Sequence, residues 1–270
     1  MTITARRTRG PRLWQYALRA WGALVFLFLM APLIVVVPIS FSSSAYLQFP
    51  PPGWSLRWYE AYFSDRVWMD ATFRSINIAF WTMLIATFLG TLLSFSLVRG
   101  RYTGKWFVNQ VSIWPLVVPV IIYSIAAYAL FAQMRMVGDW RAIVLGHSVH
   151  AIPYVVIIVS AALRTFDIAQ ENAAMSLGAS RTQAILRITL PQIRPSLISA
   201  AFLAFISSFD ELVIAMFLGG SNMTLPKKMF DNILNEIDPT IAAVSVVQIV
   251  LATIILFIVS KLGSGAAPVQ

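Results

Sequence analysis

Cysteine is absent from all 270 residues, which excludes disulfide frameworks and thiolate metal sites together. Charge is scarce too: Asp, Glu, Lys and Arg make up 11% of the chain, against roughly a quarter in soluble globular domains. Acidic residues number only 11 against 20 basic ones, and histidine occurs twice. Catalytic signatures are also missing. There is no His-Glu-x-x-His helix and no Gly-x-Ser-x-Gly elbow. The nearest approach to a phosphate loop runs from Gly100 to Gly104 and Lys105, is one residue short, and has Trp106 where Ser or Thr belongs. No catalytic residue, metal ligand set or ATP site is expected on this chain.

What the sequence has in abundance is apolar length. Hydrophobic residues make up 59% of it, gathered into runs at 21–41, 75–98, 111–132, 142–163, 196–218 and 240–260. Each is close to the ~20 residues a helix needs to cross a bilayer. Only helices or closed barrels satisfy every backbone group in hydrocarbon, so the expected fold is an all-α membrane protein with six transmembrane helices. A basic arm (residues 1–20), a six-span domain (21–262) and a short tail (263–270) follow. The first run exceeds the roughly 7–15 apolar residues of a signal-peptide core and is expected to be retained as a span. Pro32, Pro38, Pro115, Pro119 and Pro153 fall within the first, third and fourth runs, where kinks are expected.

The excess of positive charge does not indicate nucleic acid, because the basic residues are dealt out between the apolar runs instead of forming a patch interleaved with aromatics. With the N-terminus placed in the cytoplasm, the inner segments hold Arg6, Arg7, Arg9, Arg12, Arg19, Arg99, Arg101, Lys105, Arg164, Arg181, Arg187, Arg194 and Lys261. The outer loops hold only Arg57, Arg66, Arg74, Arg135, Arg141, Lys227 and Lys228. The positive-inside rule then puts both termini and the 165–195 segment in the cytoplasm.

That segment is the longest polar interval between two apolar runs, and local rules make it a two-helix elbow. Asp167 with Gln170 signals a helix start, and Gly178 suits the left-handed residue that closes the first helix. Ser180 and Gln183 form a capping box for a second helix, which is expected to stop before Pro191.

The series Glu171-Asn172-Ala173-Ala174, then Gly178, then Ile188-x-Leu190-Pro191 resembles the EAA loop of binding-protein-dependent ABC importer permeases, with the family's ten-residue spacing from Gly to Ile. Counted back from Gly178, the family's usual Glu position holds Asn172, with Glu171 one residue upstream, which leaves open which of the two side chains meets the partner. Residues 209–215 and 239–245 resemble the spermidine/putrescine branch. The resemblance implies a type I importer permease bundle in the bacterial inner membrane, with a cytoplasmic coupling helix. Glu171, Asn172, Ala173, Ala174, Gly178 and Ala179 would engage a dimeric ATPase, which carries ATP and Mg²⁺. Further partners are a second, related permease subunit, a periplasmic substrate-binding protein and the bilayer. The implied cargo is a small cationic solute, most simply a polyamine, although related permeases carry opines, amino acids, phosphonates or iron.

Asp210 and Glu211 lie some 14 residues into the fifth run, ~21 Å deep if it is one continuous helix. Carboxylates there should face a water-filled path, or else be structural with a Ser, Tyr or backbone partner. A secondary transporter or cation channel using these two acids is the alternative from another class, but it would leave the elbow without a purpose. His147 and His150 read as structural histidines near an interface. Ala200, Ala204 and Ser208 form a small-residue stripe, serving either packing within the bundle or contact with a second subunit. The aromatic- and proline-rich stretch 42–74 is expected outside, as an interfacial segment and a landing surface for an external partner.

Overall fold

A computed structural model describes residues 12–235 and 238–263. Much of the expected basic arm and nearly all of the tail therefore lie outside the described residues. Among those described there is no β-strand, only an isolated bridge between Ser42 and Trp54. Contacts divide the chain into two compact units, residues 12–61 with 238–246, and residues 62–235 with 247–263.

The first unit opens with α1 (Arg12–Ser40), which begins inside the expected arm because Trp14, Tyr16 and Leu18 extend the apolar helix toward the N-terminus. It continues unbroken past Pro32 and Pro38. Ser40 ends it, its hydroxyl donating to the Val37 carbonyl and pairing with the Tyr59 hydroxyl at 2.8 Å. The stretch after it is less of a loop than expected. α2 (Arg57–Ser64) begins there and runs into the second unit, a short amphipathic helix whose Trp58 and Tyr62 are both buried.

The second unit holds the bundle. α3 (Arg66–Arg99) starts nine residues before its apolar run, because the Asp65 carboxylate accepts from the Val67 N–H at 2.7 Å and sets the helix start there. α4 (Lys105–Val117) and α5 (Val120–Gln133) divide the third run, meeting at 105° where Pro119, just before α5, has no N–H to continue the ladder. α6 (Trp140–Thr165), capped by Asp139, runs unbroken through Pro153. Of the three runs expected to kink, the first and fourth stay continuous helices and the third is interrupted. After the elbow come α10 (Arg194–Phe209), α11 (Val213–Leu218) and α12 (Leu225–Asn235); α13 (Thr240–Gly263) begins in the first unit. Among the described residues four helices are long and apolar enough to cross a membrane, or up to six spans when each of the two bent helix pairs counts as one.

The fifth run departs from expectation. It is not one helix: α10 stops at Phe209 and α11 restarts at Val213. The depth expected for Asp210 and Glu211 on an uninterrupted helix therefore does not apply.

α3, α6 and α10 pack as a three-helix core around Ala86, Ala151, Val155, Val159, Ala200 and Ala204. Gly90 lets α3 come so near α6 that an added Cβ would stand 2.7 Å from the Val155 Cβ. A second cluster joins α5, α6 and α11 through Phe131, Ile143, Ile214 and Leu218. There Gly146 makes a similar notch, 2.8 Å from the Leu218 side chain. The expected small-residue stripe, Ala200, Ala204 and Ser208, is buried inside this core, so within the chain it serves bundle packing.

Candidate functional site

The elbow is built much as its local signals dictate. α7 (Ala169–Ser176) begins after Asp167, whose carboxylate accepts from the Ala169 N–H at 2.9 Å. It closes at Gly178, whose φ of +93° is left-handed, and the Ala179 N–H turns back to the Ala174 carbonyl at 3.0 Å. The capping box is present: the Gln183 N–H donates to the Ser180 hydroxyl at 3.2 Å, and the Ser180 N–H to the Gln183 amide oxygen at 2.9 Å.

The expected stop before Pro191 does not occur. α8 (Arg181–Ala184) widens into a π-helical turn, Ile185–Thr189, before α9 (Leu190–Gln192) takes in Pro191. The wide turn pairs the Leu190 N–H with the Ile185 carbonyl, five residues back, and Pro191 enters α9 where a missing N–H costs little. Gln192 donates through its side-chain amide to that of Gln170, holding the end of α9 to α7.

α7 divides its polar residues between two faces. Glu171 turns inward and is buried, its carboxylate taking a bond from Arg99 Nη1 at 2.7 Å and another from the Thr189 hydroxyl. Arg99 also lies over the Phe166 ring, 5.6 Å from its centroid. Asn172 and Ala173 face outward and are exposed, with Gly178 exposed and Ala174 and Ala179 half-buried. At the tip Leu177 is 90% exposed beside exposed Met175. Sequence reasoning missed Arg99, Thr189 and Leu177. The first two join Glu171 only in space, while Leu177 carried a signal, a large apolar residue beside the helix-closing glycine.

The two acids of the fifth run part company. Asp210 terminates α10, its N–H bonded to the Ile206 carbonyl, with its side chain exposed. Glu211 is occupied: its Oε1 accepts from the N–H groups of Val213 at 2.8 Å and Ile214 at 3.1 Å, capping α11. His147 is buried and hydrogen-bonded through Nδ1 to the Ser208 hydroxyl at 2.8 Å, linking α6 to α10. Lys105, from the incomplete phosphate loop, donates to the Gly100 carbonyl. Among the described residues no three His, Cys, Asp or Glu side chains gather into a metal-binding group.

Residues 86–265 match the family of binding-protein-dependent transport system inner membrane components. The chain belongs to this family. It is similar to the putrescine transport system permease protein PotI of Escherichia coli K12, with 37% identity over 94% of this chain and 89% of that protein. It is also similar to the spermidine/putrescine transport system permease protein PotC of Haemophilus influenzae, with 31% identity over 86% of this chain and 91% of that one. A bacterial transporter that imports the acidic polysaccharide alginate contains a chain of the same fold, with a TM-score of 0.73 and 17% identity over 96% of this chain and 99% of that one. A chain of the methionine transporter MetNI shares it at a TM-score of 0.62 and 17% identity, over 72% of this chain and 93% of that one. This family member is thus an inner-membrane permease component of an ABC importer, a setting that implies an ATPase and a substrate-binding protein.

Proposed function

We propose that this permease forms, with a second and related subunit, the path by which a polyamine enters the cell. The reading is carried by the 37% identity to a putrescine permease along nearly the whole chain. Both termini and the elbow lie in the cytoplasm, in keeping with the distribution of Lys and Arg. Asn172, Ala173, Ala174, Gly178 and Ala179, with Leu177 at the tip, meet a dimeric ATPase that holds ATP and Mg²⁺. Glu171 works from the inner face, tying α7 to α3 through Arg99. A periplasmic binding protein delivers the solute to the outer segments, including 42–74 and 219–239. Asp210, exposed at the break between α10 and α11, is the carboxylate offered to a passing ammonium. Closure of the ATPase dimer then moves the elbow and swings the bundle between inward- and outward-open states, a two-state equilibrium biased by a remote ligand.

The test is a mild-detergent pull-down of the tagged chain, followed by reconstitution with the recovered partners and uptake of labelled putrescine, a neutral amino acid and sulfate. Sulfate is included because the chain is also 25% identical to an E. coli sulfate permease. Recovery of an ATPase and a second permease, with ATP-dependent putrescine uptake, is expected. Uptake of sulfate or the amino acid alone would reassign the cargo, and recovery of only this chain would overturn the assembly.

A further inference from the structure

Beside the elbow, α3, the α8–α9 segment and the start of α10 enclose an open cleft of about 1160 Å³. It is larger than the ~300–1,000 Å³ of pockets for drug-sized molecules. Its lining is graded: Leu84, Phe88 and Leu92 of α3 expose apolar side chains along one part, and Arg99, Arg101 and Arg181 stand at the elbow end. From Met83 to Arg99 the wall runs ~24 Å along the helix at 1.5 Å per residue. That is about one leaflet, half of a ~30 Å hydrocarbon core plus a headgroup layer of ~5–7 Å.

The charged end is not balanced. Glu171 neutralises one guanidinium of the three, and Arg99 Nη2 is buried with no hydrogen-bond partner although Nη1 is committed to Glu171. A buried donor without an acceptor is costly, and an anion drawn to this end would supply one. We propose that this cleft holds one anionic phospholipid, its acyl chains along α3 and its phosphate among Arg99, Arg101 and Arg181. An apolar helix of another subunit would cover the wall but bring no acceptor to Arg99 Nη2. A free phosphate would answer the donors and leave the wall bare. An anionic lipid from the leaflet on the elbow side satisfies both parts.

The experiment uses the assembly that the tagged chain brings down, whatever its composition, so its outcome does not depend on the solute carried. Phosphatidylglycerol and phosphatidylcholine are titrated in separately, and bound lipid is counted by native mass spectrometry. Arg101 and Arg181 are both exposed, so R101Q/R181Q should leave the fold intact. This double variant should retain at least tenfold less phosphatidylglycerol than the unaltered chain. R135Q/R141Q, at the other end of α6, should retain as much as the unaltered chain. Phosphatidylcholine should bind weakly and equally in all three. Equal retention of the two lipids, or full retention by R101Q/R181Q, would overturn the proposal. So would efficient cross-linking of Phe88→Cys to a second permease subunit in native membranes, which would make the cleft a subunit seat.

Discussion

Arg99 and Glu171, 72 positions apart, meet at 2.7 Å with their side chains only 12% and 5% exposed. The last residue of α3 is thereby fastened to the first turn of the elbow. Removing one partner of a buried pair strands the other charge, at a cost of about 3–5 kcal/mol. Glu171→Gln and Arg99→Gln should each lower the unfolding midpoint in detergent and abolish uptake. The reciprocal exchange R99E/E171R should recover much of both. An exchange no better than either single variant would show that charge pairing is not what holds the joint.

Leu177 is the opposite case, nine-tenths exposed. Its burial under a partner would be worth about 1.5–3 kcal/mol. Leu177→Glu should therefore leave thermal stability unchanged, yet weaken ATPase co-purification by about 10- to 150-fold, at 1.4 kcal/mol per factor of ten. Undiminished recovery of the ATPase would remove Leu177 from the contact.

Asp210 and Glu211 should separate by phenotype. Glu211→Ala takes the cap from α11 and should cost about 1 kcal/mol of stability. Asp210→Asn leaves that cap in place, so the midpoint should hold while putrescine uptake falls at least tenfold. Equal losses of stability in both variants would make Asp210 structural as well.

Gly90 faces Val155 with no room for a side chain. Gly90→Val should overpack the contact between α3 and α6 and destabilise the bundle by about 1–3 kcal/mol. Val155→Ala in the same chain should restore part of the loss, read as the unfolding midpoint of the double variant. No recovery would place the strain elsewhere.

Much of the elbow was legible because its rules are local. Asp167, Gly178 and the Ser180–Gln183 box act within four residues of themselves, and the structure uses all of them. Pro191 misled because a proline's effect depends on the register it meets, and a π turn supplies a register that no pairwise rule anticipates. The break after Phe209 was hidden for a related reason. Residues 209–213 carry no glycine or proline, and Glu211 can take backbone N–H groups only once the helix has already restarted. Arg99 looked like a topological marker, one basic residue among several at a span end. Only folding brings Glu171, itself held by the Thr189 hydroxyl, to it and turns a boundary charge into a joint.

The two glycine notches on either side of α6 have a mechanical consequence. Gly90 against Val155 and Gly146 against Leu218 fit only at one height. A slide of one helical turn, ~5.4 Å, would bring bulkier residues into the same narrow gaps. α3, α6 and α11 are thus indexed to one another at two points where nothing larger than a hydrogen fits. With the elbow fastened to α3 at Arg99, a displacement of α7 would be passed first to α3, the helix that carries one of these notches.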